Sequence, residues 1–135
     1  MTVGLLVISH DRVGSAMVDT AVSLLGVRPL PIEILHIRQE SNPDKCIAQA
    51  RELSNKLNQG DGVLVLTDLY GSTPCNIAST LHDNDNIIVI AGMNLSMLIR
   101  ILNYHNLSLA ELVHKAITGG HDGILICKTG YTQND

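Results

Sequence analysis

The chain of 135 residues sets nine Lys and Arg against thirteen Asp and Glu, a formal net charge of −4, and the basic residues are too scattered to neutralise a run of nucleic-acid phosphates. With three Tyr and neither Phe nor Trp there is no base-stacking platform. Apolar runs such as Gly4 to Ile8 and Ile87 to Ala91 fall far short of the roughly 20 residues of a membrane-spanning helix, so neither nucleic acid nor direct membrane insertion is expected.

In chain order, Val3 to Ser9 is a continuous apolar run and reads as a strand covered on both faces. The segment from Val13 to Leu25 follows with helical spacing of Met17, Val18, Ala21 and Val22, and Gly26 stands where a helix ends. Ile32 to Ile37 is the second strand. Asn42 as N-cap and Pro43 at the first helical position open a second helix, which places Ile47, Ala50, Leu53 and Leu57 on one face before Gly60. Gly62 to Thr67 reads as strand three, and Thr73-Pro74 begins a short helix with Ile77, Ala78 and Leu81 apolar. Ile87 to Ala91 is strand four. Two helices then follow without an intervening strand. Asn94 caps one through Leu102, and Ser108-Leu109-Ala110-Glu111 forms a capping box for another, expected to stop near Gly119-Gly120. Gly123 to Cys127 reads as a fifth strand.

Strand and helix alternating three times imply right-handed crossovers. The expected architecture is α/β and doubly wound: a single domain over 1–135 with a mostly parallel five-stranded sheet and helices on both faces. Two consecutive helices after strand four turn the chain twice, so strand five is expected as an antiparallel C-terminal edge strand. Such an edge needs covering, and a partner subunit is one cover. Cys46, Cys75 and Cys127 are odd in number and lack CxxC or Cys/His spacing, which implies reduced thiols and no metal site. The apolar run directly after Met1-Thr2 carries no basic leader, and the chain is expected to be cytoplasmic.

In open parallel sheets, ligands bind beyond the carboxyl ends of the strands where the winding reverses, commonly between strands one and three. The first of these loops reads Ser9-His10-Asp11-Arg12. The third reads Asp68-Leu69-Tyr70-Gly71-Ser72-Thr73-Pro74-Cys75-Asn76. A histidine and an aspartate thus end neighbouring strands. A carboxylate bonded to one ring nitrogen fixes the imidazole tautomer and leaves the other nitrogen free to attack. Gly71, Ser72 and Thr73 lead into a helix, where N–H groups favour an anion. Taken singly, His10 reads equally as a loop residue, Asp68 as a turn former and Thr73-Pro74 as a helix start. Together they form a candidate site.

At these residues the sequence resembles the mannose-family IIA proteins of the bacterial sugar phosphotransferase system. The resemblance is carried by the apolar run ending in Ser9-His10, by Val65 to Asn76, and by Ile90-Ala91-Gly92-Met93-Asn94-Leu95-Ser96-Met97-Leu98. It implies a phosphohistidine at His10, Asp68 bonded to its other nitrogen, and Thr73 contacting the phosphoryl group. It also implies HPr as donor, a IIB protein or domain as acceptor, a homodimer formed partly by exchange of the C-terminal strand, and no cofactor. Two positions depart from the family pattern. Asp11 replaces a small neutral residue and would repel a phosphoryl group unless Arg12 offsets it, and Ser72 replaces a frequent glycine.

The remaining candidates weigh less. Cys75 lies near a helix N-terminus but reads better as packing. His36 and His121 could approach neighbouring loops, while His82, His105 and His114 read as helix or loop surface, and Tyr70 could cover the site or meet a partner. The rival class is a receiver-like signalling domain phosphorylated on Asp68, with Lys128 past strand five. It needs an acidic pair after strand one, where only Asp11 stands. The phosphotransfer subunit of dihydroxyacetone kinases would also use His10, and fits Tyr70 to Pro74 less well.

Overall fold

The computed structural model describes residues 2–82 and 85–128. Strands β1 (Gly4–His10), β2 (Ile32–Ile37), β3 (Val63–Thr67) and β4 (Ile87–Ala91) alternate with helices α1 (Val13–Leu25), α2 (Pro43–Leu57) and α3 (Thr73–Ser79), and α4 (Leu95–Asn103) and α5 (Leu109–Asp122) follow β4. The sheet has the order β2-β1-β3-β4, every pair parallel.

The continuous apolar runs exist because both faces of the sheet are covered. In β1, Leu5 and Val7 pack into the layer that holds residues of α1, α4 and α5, while Leu6 and Ile8 pack against α2 and α3. Each such side chain, wholly removed from water, contributes about 1.5–3 kcal/mol. The same alternation puts His10 in phase with Leu6 and Ile8, on the α2–α3 face, and Ser9 on the α1 face. There the buried Ser9 Oγ accepts a hydrogen bond from the Gly14 N–H at 2.8 Å. A Cβ on Gly14 would stand 2.6 Å from both Ser9 Oγ and Val7 Cγ1. Glycine at this position is therefore what lets α1 start directly against the end of β1.

The predicted caps form. The Asn42 side chain accepts from Lys45 N–H at 3.1 Å, Asn94 accepts from Met97 N–H at 2.9 Å, and Ser108 and Glu111 close a capping box. Gly26 ends α1 at a φ of 85°.

Three expectations are corrected. β1 extends one residue further and takes in His10, because the Asp11 N–H donates to Ile37 O at 2.9 Å and carries pairing with β2 through that position. Helix α5 does not stop at Gly119-Gly120 but runs to Asp122. Both glycines are buried against α4: a Cβ on Gly119 would lie 2.5 Å from Arg100 Cβ, and one on Gly120 3.1 Å from Met97 Cε. They serve helix contact rather than helix termination. Finally, the expected antiparallel fifth strand over Gly123 to Cys127 is absent from the sheet, which has four parallel strands among the described residues. Gly123 caps α5, and Ile124, Leu125 and Ile126 are exposed. A strand is completed by hydrogen bonds to a neighbour, and no described edge meets this segment.

Candidate functional site

β1 leads through α1 to β2 on one side, and β2 returns through α2 to β3 on the other, so the winding reverses between β1 and β3. His10 ends β1 and Asp68 directly follows β3. Asp68 Oδ2 lies 2.9 Å from His10 Nδ1 and also accepts the His10 backbone N–H at 3.1 Å. An ionised carboxylate only accepts, so the proton of this pair belongs on Nδ1, leaving the Nε2 lone pair uncommitted. The imidazole is 44% exposed and the carboxylate 12%. Burial pushes the Asp68 carboxyl up, but hydrogen bonds from the His10 ring, from the His10 backbone and from its own N–H outweigh burial and hold it below the usual carboxylate range. Oδ1 of the same carboxylate is buried without a hydrogen-bond partner. A buried acceptor left unmade is costly, and here Oδ2 serves the histidine twice.

A cleft of about 520 Å³ opens beside the ring, lined by His10, Asp11, Arg38, Gln39, Ser41 and Thr73, with Ile37 and Pro43 at its apolar wall. The fold thus gathers His10, Asp68 and Thr73. Gly71 and Ser72 stay outside that lining: Gly71 makes the turn at a φ of 79°, and Ser72 Oγ donates to Leu69 O at 2.6 Å. Asp11 adopts a φ of 43°, alone among the described non-glycine residues in the left-handed region. The cation beside its carboxylate is Arg38, with Nε 3.9 Å from Oδ1, and not the expected Arg12, which occupies the N-cap position of α1.

Arg38, Gln39 and Ser41 are the site residues that sequence reasoning missed. The signal was available, because any chain wound this way sets the end of β2 beside the end of β1.

The other histidines lie elsewhere. His36 pairs in register with Ser9, which puts it on the face opposite His10, and its Nε2 is buried without a partner. His121 lines a separate cleft of about 350 Å³ with Ile90, Gly92 and Ile124. Nδ1 of His82 and of His105 meets Ile87 O and Leu102 O at 3.0 and 3.1 Å. Tyr70 is 85% exposed and covers nothing, and Cys75 is buried as a packing residue. Among the described residues no three His, Cys, Asp or Glu side chains group as metal ligands. Asp68 is engaged twice by His10, whereas the receiver-like reading needs that aspartate free.

Fold and site together define a doubly wound α/β domain with a histidine–carboxylate pair at its switch point. Residues 4–117 match the protein family described as PTS system fructose IIA component, EIIA-man. The chain is 31% identical over 131 residues to the PTS system mannose-specific EIIAB component of Escherichia coli (strain K12), covering 95% of this chain and 40% of that one. It therefore spans about 40% of the length of the curated relative it matches.

Among solved structures, the mannose/sorbose specific IIA subunit of the phosphotransferase system from Enterococcus faecalis superposes with a TM-score of 0.84. Its identity is 22%, over 98% of this chain and 99% of that one, a likeness of fold. The PTS IIA protein associated with the fucose utilization operon from Streptococcus pneumoniae is 27% identical with a TM-score of 0.72, over 85% of this chain and 88% of that one. The chain belongs to the mannose-type IIA family of the phosphotransferase system, whose members are phosphocarriers in sugar phosphotransfer. No helix among the described residues is long and apolar enough to cross a membrane.

Proposed function

We propose that this protein carries a phosphoryl group on His10 Nε2, taking it from HPr and passing it to a IIB protein or domain on the cytoplasmic side of sugar uptake. The observation that supports this most directly is the 2.9 Å contact between His10 Nδ1 and Asp68 Oδ2. It frees Nε2 as nucleophile and supplies a counter-charge for the ring once it is phosphorylated. The Nε2 lone pair attacks phosphorus as the donor's phosphorus–nitrogen bond breaks, and that electron pair returns to the donor's imidazole. Nδ1 keeps its proton throughout. The phosphoimidazolium formed is stabilised by Asp68, whose depressed pKa keeps it anionic across the neutral range. Bond making asks little of the surroundings beyond position and charge.

Thr73, exposed on the cleft, offers its hydroxyl to the phosphoryl oxygens, and the Gly71-Ser72 turn sets where α3 begins. Leu69 and Tyr70 project from the same loop as exposed apolar surface suited to a protein partner. A homodimer is supported by the far edge of the sheet. β4 is a terminal strand of the described sheet, Ile124 lines a cleft with its Ile90 and Ala91, and Leu125 and Ile126 follow it exposed. Such a segment finds its hydrogen bonds by adding to the sheet of a second copy.

Incubation with phosphoenolpyruvate, enzyme I and HPr tests the carrier role. Peptide mass spectrometry should place one alkali-stable, acid-labile phosphate on His10, and His10→Ala should take up none. Phosphate on Asp68, or uptake by the alanine variant, would overturn it.

A further inference from the structure

The cleft beside His10 holds two opposite charges that the carrier chemistry above leaves unused, Asp11 and Arg38. Apart from the imidazole itself, Arg38 is the cation of that lining, while Gln39, Ser41 and Thr73 are neutral. Its place is set by the sheet. His10 pairs in register with Ile37, the Asp11 N–H donates to Ile37 O at 2.9 Å, and Arg38 is the next residue. Its backbone is braced in a turn: the Arg38 N–H donates to Ser41 Oγ and the Ser41 N–H to Arg38 O, each at 3.0 Å. The side chain beyond that fixed base is 54% exposed.

We propose that Arg38 is the phosphoryl-binding cation of this site, held beside His10 by Asp11 and transferred to the phosphoryl oxygens when Nε2 becomes phosphorylated. The inference rests on His10 as the phosphorylated residue.

The charges require such a partner. A phosphoryl group brings nearly two negative charges into a cleft where Asp68 already lies under the ring and Asp11 stands at the mouth. Asp11 cannot simply turn away by a backbone change, since its φ of 43° is tied to the strand-extending bond from its N–H. Aspartate tolerates that conformation better than most residues. The pair it makes with Arg38 is long, at 3.9 Å, and its carboxylate is 73% exposed. Exposed pairs of this kind are the weak ones. A phosphoryl group accepts a guanidinium through two parallel charge-assisted bonds, which are stronger and fit its geometry. Arg38 therefore loses little on leaving Asp11 and gains a better acceptor, and the released Asp11 carboxylate remains in water. Arg38 takes no part in bond making. It donates N–H groups while the phosphorus–nitrogen bond to the donor breaks and that to Nε2 forms.

The test phosphorylates wild type, Arg38→Gln, Arg38→Lys and Asp11→Asn through phosphoenolpyruvate, enzyme I and HPr. It follows both the initial rate of uptake and the phosphorus-31 NMR titration of the phosphohistidine. Arg38→Gln should slow uptake about 10- to 100-fold and raise the pH at which the phosphoryl group takes up its proton. Arg38→Lys should restore part of both, and Asp11→Asn should raise the rate a few-fold. Thermal stability should be unchanged in all three variants, since both side chains are exposed. A labelled His10 with an unaltered titration in Arg38→Gln would overturn the proposal and leave the carrier role standing, even if uptake slowed, because Arg38 would then serve donor docking. A wild-type protein that takes no label on His10 would overturn both.

Discussion

The two ends of the molecule that expose apolar side chains differ in how they are finished. Around His10 the chain closes on itself: Asp68 holds both the ring and the backbone of His10, Asp11 extends the pairing with β2, and Ser9 receives the first turn of α1. Beyond α5, Ile124, Leu125 and Ile126 carry no such bonds to the described sheet and lie exposed. Polar groups of fixed geometry complete a site within one chain, while an apolar segment needs area, and the described residues leave much of this one exposed. The first end therefore suits the proposed chemistry and the second the proposed assembly.

Breaking the first end should have the larger effect. His10→Ala should abolish phosphate uptake outright, read as loss of the labelled peptide. Asp68→Asn should slow uptake on the order of 100-fold, because an amide no longer selects the Nδ1–H tautomer or balances the phosphoimidazolium. The same substitution has a pH signature. The native Asp68 carboxyl lies below its ordinary value, so its stabilisation is fully present above about pH 4 and is lost as pH falls through the depressed native value. Urea titrations of wild type and Asp68→Asn should show their largest gap at neutral pH and converge in strong acid. A gap that widened in acid would contradict the assigned direction.

The second end yields a smaller and more selective effect. Leu125→Asp should leave monomer stability unchanged, since the side chain is exposed. It should weaken dimerisation by about 1.5–3 kcal/mol, the worth of one buried leucine, measured by sedimentation equilibrium across a dilution series. A dimer indifferent to this change would place the subunit contact elsewhere. Smallest of all, Ser108→Ala should cost about 1 kcal/mol in thermal or urea unfolding through loss of the α5 capping box, with phosphate uptake unaltered.

Much of this was legible in the chain. Asn42-Pro43, Asn94 and Ser108 with Glu111 announced three helix starts through bonds made within four residues, and the continuous apolar runs of β1, β3 and β4 announced a sheet covered on both faces. The His10–Asp68 pair was legible because parallel winding obliges the ends of β1 and β3 to be neighbours. The glycines of α5 were misread, since a Gly-Gly step signals helix termination as readily as helix contact, and only the approach of Arg100 and Met97 separates the two. The fifth strand was misread for a related reason: Gly123 to Cys127 has strand composition, but a strand exists only where a second backbone accepts it.

The sequence by itself determined the four strands and five helices, their order and the histidine–aspartate pair, because caps, periodicity and chain connectivity act over short distances or through topology alone. The tertiary structure decided which cation answers Asp11. Arg12 is adjacent in the chain but belongs to the start of α1, whereas Arg38, 27 residues away in sequence number, is brought to the cleft by the register of β2 on β1. Charge partners of this kind depend on distance through space, and that distance is set when the strands pair.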